Sequence, residues 1–210
     1  MPFILAVSGF KDSGKTTLCK KLLPLLKERG LDVAYVKRTH EEVLSPAGTD
    51  SGLLAQITDP VALWGSDGLR LEDWRQDMDP GRLAGLYFPG RHLLLLEGGK
   101  ELTLPKIWVG DPEDIPEGVL GVVAFYDRDN PCGKERHFCA GQEEELADLV
   151  SSMVRKAETS PAEVYSHGRR IPVKSFVGEF IAGGVSGMLG SLKGDFDPED
   201  GVSVHIRALP

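Results

Sequence analysis

The sequence predicts an α/β fold over residues 1–157, with a mainly parallel sheet and helices on both faces, followed by a small α+β module over residues 161–210. Three observations carry this. Several strands read as unbroken apolar runs, as parallel strands covered on both faces do. The first such run stops at a glycine-rich loop that opens an amphipathic helix, which is the start of a βαβ unit. Near Thr159-Ser160-Pro161 the composition turns glycine-rich, as at a linker.

Residues 3–8 (Phe-Ile-Leu-Ala-Val-Ser) form the first predicted strand, ending at Gly9. Residues 14–29 place leucines at 18, 22, 23, 25 and 26 between lysines, an amphipathic helix that Pro24 is expected to kink or end early and Gly30 to stop. Residues 32–37 are a second strand. A loop over 45–49, a short helix over 50–56 and a strand over 60–64 follow. Residues 69–88 read as helical in parts, broken at Pro80-Gly81. Four consecutive leucines, 93–96, mark a central strand that ends at Glu97-Gly98-Gly99. Residues 105–109 are a short strand before an acidic, proline-rich loop, and 119–126 are the last buried strand. The helix over 141–156 is acidic in its first turn (Glu143, Glu144, Glu145) and basic in its last (Arg155, Lys156), which suits the helix dipole. In the C-terminal module, residues 164–173 read as a hairpin, 176–192 as a helix and 202–206 as a strand.

Composition narrows the function. With 210 residues, 41% hydrophobic and 27% charged, the chain can bury one sizeable core. A net charge of −8 argues against a broad nucleic-acid surface. Three cysteines give no disulfide framework, which is the pattern of a reducing compartment. The N-terminal apolar run is too short for a membrane span and has no basic leader, so the expected location is the cytoplasm.

The segment Gly9-Phe10-Lys11-Asp12-Ser13-Gly14-Lys15-Thr16 fits the phosphate-binding P-loop pattern without a mismatch, in the strand-loop-helix context it requires. Its chemistry follows from the residue types. The glycines let backbone N–H groups wrap a phosphate, Lys15 reaches the β and γ phosphates, Thr16 offers a hydroxyl to Mg²⁺, and Thr17 continues the helix whose positive end faces the anion. The fold is thus expected to be that of the P-loop nucleotide-binding proteins. The metal also needs a carboxylate. Glu97 stands at the carboxyl end of an apolar strand, where ligands bind in such sheets, and an unpartnered carboxylate there is costly. Asp50 is a second candidate, or else an N-cap.

Three segments together resemble the molybdopterin-guanine dinucleotide biosynthesis protein B family. They are the P-loop at the start of the chain, Val36-Lys37-Arg38-Thr39-His40 with Gly48-Thr49-Asp50-Ser51 after it, and Leu96-Glu97-Gly98-Gly99-Lys100 with Pro105-Lys106-Ile107 after that. They span about the first 110 residues in the family's order. Two positions depart from the pattern: Ser45 stands where members usually carry Asp, and Ile57-Thr58-Asp59 where they commonly carry Ala-Gly-Ala. The resemblance implies a GTP-binding adapter, usually a homodimer, with Mg²⁺ and weak GTP hydrolysis. Such an adapter assists a separate nucleotidyltransferase in attaching GMP to molybdopterin. ATP in place of GTP stays open, because no guanine-reading motif occurs and only Asp127, after the last buried strand, is placed to read a base.

Other clusters carry their own expectations. Lys37, Arg38 and His40, with Lys100 and Lys106, could form a cationic pocket for a second anion such as a pterin phosphate, or be ordinary surface residues. A small-molecule kinase is the first alternative function, with Arg70, Arg75 and Arg82 as lid arginines. A metal-delivery GTPase is the second, on the loop carrying Cys132, His137 and Cys139, although their spacing fits no usual zinc pattern.

Overall fold

A computed structural model describes residues 1–75, 77–128, 135–157, 160–167, 169–191 and 201–205. In chain order the elements are β1 (Phe3–Gly9), α1 (Lys15–Glu28), β2 (Val33–Lys37), α2 (Asp50–Leu54), β3 (Val61–Trp64), β4 (Leu69–Glu72), α3 (Pro80–Tyr87), β5 (Leu93–Glu97), β6 (Lys106–Val109), β7 (Val122–Tyr126), β8 (His137–Phe138), α4 (Glu143–Ala157), β9 (Val164–Ser166), β10 (Arg169–Ile171) and α5 (Ser175–Leu189).

Six strands form one parallel sheet in the order β2-β5-β1-β6-β7-β8. The α/β expectation therefore holds, and β8 adds a two-residue edge strand beyond the one expected to be last. Alternation along the strands divides the core. Leu5, Val7, Leu93, Leu95, Ile107 and Val109 face α1 and α4, which present Leu18, Leu22, Leu26, Leu146, Val150 and Val154. Ile4, Ala34 and Leu94 face the opposite way, onto Ala84 and Leu83 of α3. Burying a leucine side chain in this way contributes roughly 1.5–3 kcal/mol.

Helix α1 does not end early at Pro24. It runs to Glu28, because Leu22 and Leu26 on either side of the proline are fully buried and that packing outweighs one lost backbone bond. It closes as a Schellman turn, with Gly30 N–H donating to Lys27 O at 2.9 Å and Leu31 N–H to Leu26 O at 3.1 Å.

The segment between β2 and β5 departs most from the sequence reading. Residues 69–72 are not helical. They pair antiparallel with β3 in a separate two-stranded sheet. On one of its faces Trp64, Leu69 and Leu71 are exposed, Trp64 by 89%. Glu72 points the other way and is buried, accepting from the Ser45 hydroxyl at 2.7 Å and pairing with Arg70 at 2.8 Å.

After α4, the β9–β10 hairpin and α5 form as the sequence predicts. Gly168 of the turn and Leu192 at the expected helix end lie outside the described residues. Residues 201–205 are irregular rather than a strand, and Ile206 is not among the described residues. The hairpin is tied to the α/β body by pairs between the Met1 amine and Glu163 and between Arg169 and Asp77. No helix among the described residues is long and apolar enough to cross a membrane.

Candidate functional site at the carboxyl edge of the sheet

Chain direction across the sheet reverses at β1: the chain leaves it toward β2 on one side, and β5 leads to β6 on the other. Ligands bind at such a switch point. A cleft of about 750 Å³ opens there, lined by the loop after β1, the end of β2 and the end of β5.

The glycine loop is built by close approach. A Cβ on Gly9 would stand 2.4 Å from the Val109 carbonyl oxygen and 2.7 Å from the Ser13 hydroxyl, so no larger residue fits. Gly14 takes a φ of +96°, the left-handed conformation that lets the chain turn into α1. Asp12 is also left-handed, with φ +62°, as in the alternating backbone that makes an anion nest. No side chain caps the start of α1 and its first turn holds no acid, so its positive end is left for a ligand. The Lys15 ammonium folds back onto the Phe10 carbonyl. Burial lowers its pKa, and the Glu97 and Asp12 charges oppose that shift.

Strand register places the acid. Lys37, Glu97 and Val7 lie abreast on β2, β5 and β1, so their side chains share the face toward α1. Glu97 is 4% exposed. Its Oε1 accepts from the Thr16 hydroxyl at 2.6 Å and its Oε2 from the Tyr35 hydroxyl at 2.6 Å, while Lys37 Nζ lies 3.9 Å from Oε1. Burial, then the bond to Glu97, raises the Tyr35 pKa. Sequence reasoning missed Tyr35, although its position two residues before Lys37 on β2 puts it on the same face.

Of the expected site residues, Gly9, Lys11, Asp12, Gly14, Lys15, Thr16, Thr17, Lys37, Arg38, His40, Glu97 and Lys100 line the cleft. Ser13, Asp50, Lys106 and Asp127 do not. The Ser13 hydroxyl is buried and has no hydrogen-bond partner among the described residues. Asp50 is an exposed first residue of α2, whose cap is the Thr49 hydroxyl, so it is not the N-cap, and it does not line the cleft. Asp127 follows β7, where its N–H donates to Phe138 O. Lys106 is fully buried, and its ammonium donates to the carbonyls of Lys100 at 2.8 Å and Leu102 at 2.7 Å; burial lowers its pKa.

The residues behind the alternative functions lie elsewhere. Arg70 pairs with Glu72, Arg75 with Asp73 and Asp59, and Arg82 with Asp77; none lines the cleft. Cys132 is outside the described residues. The His137 ring packs on Phe125 at 4.4 Å, and Cys139 Sγ lies 3.3 Å from the Gln142 side-chain oxygen. Among the described residues no three His, Cys, Asp or Glu side chains are grouped to hold a metal. In the cleft, Thr16 and Glu97 bring two hard oxygen donors together, the ligand type that Mg²⁺ takes while keeping several waters.

The sequence model for molybdopterin guanine dinucleotide synthesis protein B matches residues 4–119. The molybdopterin-guanine dinucleotide biosynthesis adapter protein of Haemophilus influenzae is 28% identical over 137 residues, covering 59% of this chain and 75% of the relative. The probable adapter protein of Bacillus subtilis is 31% identical over 121 residues, covering 54% and 69%. Among solved structures, a crystal structure of molybdopterin-guanine biosynthesis protein B superposes with a TM-score of 0.56 at 27% identity, over 73% of this chain and 99% of that one. The crystal structure of Bacillus subtilis MobB gives 0.53 at 31% identity, over 72% and 97%.

Proposed function

Because this chain belongs to the molybdopterin guanine dinucleotide synthesis protein B family, we propose that it is an adapter in molybdenum cofactor maturation that binds Mg²⁺·GTP in the cleft. On this reading it assists a partner nucleotidyltransferase that attaches GMP to molybdopterin, acts as a homodimer and hydrolyses GTP slowly. The observation that carries it is the Thr16–Glu97 contact beside the glycine loop. A hydroxyl and a carboxylate 2.6 Å apart, next to an uncapped helix start, suit a metal-bound triphosphate.

Each residue has a stated task. The backbone from Gly9 to Gly14 wraps the phosphates, and Lys15 leaves the Phe10 carbonyl to meet their charge. Thr16 and Glu97 hold the metal, which when bound neutralises phosphate charge. Tyr35 fixes the Glu97 carboxylate at its other oxygen, and Lys37 lies near the oxygen that Thr16 holds. A carboxylate engaged by three neighbours suits metal holding better than taking a proton from water, which supports binding with slow turnover.

Isothermal titration with GTP and with ATP, each with Mg²⁺, is the direct test. GTP is expected to bind more tightly than ATP, and Lys15→Ala to weaken binding about a hundredfold by removing the side-chain charge that opposes the phosphates. A folded sample that binds neither nucleotide sinks the reading. Light scattering checks the dimer. A pull-down with a non-hydrolysable GTP analogue is expected to recover a molybdopterin nucleotidyltransferase, and its absence counts against the adapter role.

A further inference from the structure

Helix α5 turns an apolar face outward. Its exposed positions include Phe176, Phe180, Gly183, Gly184, Gly187 and Met188, a spacing that keeps them on one side of the helix. Glu179, at the margin of that side, is the only charged residue in α5. A helix on a protein surface ordinarily presents charged and polar residues there. The opposite side is the one the chain covers: a Cβ on Gly178 would stand 2.3 Å from the Ser160 hydroxyl. Helix α5 lies well beyond residue 119, where the family match ends.

Close packing on Ser160 accounts for Gly178, but not for the outward glycines. A Cβ added to Gly183, Gly184 or Gly187 would meet nothing within 4 Å among the described residues. Each glycine inside a helix costs stability relative to alanine, and no contact within the described chain requires these three. What they leave open is a strip of bare backbone that another helix can approach closely.

The face is complementary to itself. Its bulk lies in the first half, at Phe176 and Phe180, and its gaps lie in the second half, at Gly183 and Gly187. Two copies laid antiparallel about a two-fold axis between residues 181 and 182 set Phe176 level with Gly187 and Phe180 level with Gly183. Such mutual matching is what a two-fold interface demands. A parallel pair would instead set phenylalanine against phenylalanine and leave the glycines facing a void. The area also suffices. Phe176, Phe180 and Met188 are 72%, 73% and 74% exposed, which is on the order of 400 Å² of apolar side chain per copy. Two copies bury roughly 800 Å² from these side chains, and the glycine backbone between them brings the total near the ~1,000 Å² of a specific interface.

We propose that the outward face of α5 pairs antiparallel with α5 of a second copy of this chain, Phe176 and Phe180 of each entering the gaps over Gly187 and Gly183 of the other. This rests on the homodimer reading given above and names the surface that forms it.

The test uses full-length chains. Phe176→Cys and Gly187→Cys are oxidised separately and as an equal mixture, beside the wild type as a control for the native cysteines. In an antiparallel pair each new cysteine lies about 16 Å along the helix from its own copy but level with the other variant's. The mixture is therefore expected to form a disulfide-linked dimer that neither variant forms alone. In sedimentation equilibrium the wild type is expected to self-associate, and Phe180→Glu and Gly183→Leu are each expected to weaken this tenfold or more. Both positions are exposed, so an unchanged far-ultraviolet helix signal is expected in both. Wild-type association that neither variant weakens, with no linked dimer in the mixture, overturns the α5 surface and leaves the homodimer standing. Linked dimer formed as readily by one variant alone as by the mixture overturns the antiparallel pairing. A wild-type chain that stays monomeric removes the homodimer and this surface together. If that monomer floats with phosphatidylcholine–phosphatidylglycerol vesicles and Phe180→Glu does not, the face belongs to a lipid surface and the proposal is likewise overturned.

Discussion

The Thr16 hydroxyl donates to Glu97 Oε1 at 2.6 Å, joining the first turn of α1 to the end of a strand 81 residues later. Tyr35 holds the other carboxylate oxygen at the same distance. Glu97→Gln removes the charge and is expected to weaken Mg²⁺-dependent GTP binding roughly tenfold or more. Tyr35→Phe removes one donor without touching the metal position and is expected to cost only a few-fold. Titrations with and without Mg²⁺ separate the two. Equal losses with and without Mg²⁺ in Glu97→Gln would remove the metal role.

Gly9→Ala is expected to destabilise the protein by about 1–3 kcal/mol, because its methyl group meets the Val109 carbonyl and the Ser13 hydroxyl well inside contact distance. Denaturant melts measure this. Gly48→Ala, where an added Cβ meets nothing, is the control. A wild-type midpoint for Gly9→Ala would mean that the loop yields freely.

Glu143 links α4 to α1 and β7. Burial alone raises a carboxyl, but bonds from Lys21 at 2.6 Å, the Tyr126 hydroxyl at 2.7 Å and backbone amides hold it down to about 2, from an ordinary 4.5. The folded value lies below the unfolded one. Its stabilisation is therefore fully present above the unfolded value and is lost as pH falls toward the folded one. The stability gap between wild type and Glu143→Gln is expected to be constant near neutrality and to narrow between about pH 5 and pH 2. A gap unchanged across that window in denaturant melts would show that the carboxylate is not held in its charged form.

Lys106→Met keeps the length of the buried side chain and removes the ammonium. The Lys100 and Leu102 carbonyls lose their donor, at a local cost of about 1–3 kcal/mol, so amide exchange over residues 99–104 is expected to speed up while α1 and β1 stay protected. Unchanged exchange in that loop would mean that it is held by other contacts.

The parallel strands and the glycine loop were legible because each is a local pattern: an apolar run, a leucine face, two glycines at fixed spacing. Glu97 was legible from its place at a strand end. Of the β3–β4 pair only β3 was, as the strand over 60–64; Leu69–Glu72 is four residues long, too short for its alternation to stand apart from a helical stretch. Lys106 shows a second limit. Its position just past the Glu97 segment suggested the cleft, but strand alternation sets it on the same side as Ala6, its register partner, rather than on the face toward α1 shared by Glu97 and Val7. Tyr35 shows the converse, a residue brought to the site by that same alternation.

The position of β5 between β2 and β1 bears on how the molecule comes to exist on the ribosome. The glycine loop and its helix are complete by residue 30, yet the strand that separates β1 from β2 and supplies Glu97 is made only some sixty residues later. Until then β1 and β2 have no partner between them. The emerging chain carries two bare strand edges and an unfinished pocket, an invitation to mispairing. A fragment cut before residue 93 would keep the whole phosphate-loop pattern and is expected to aggregate rather than to bind.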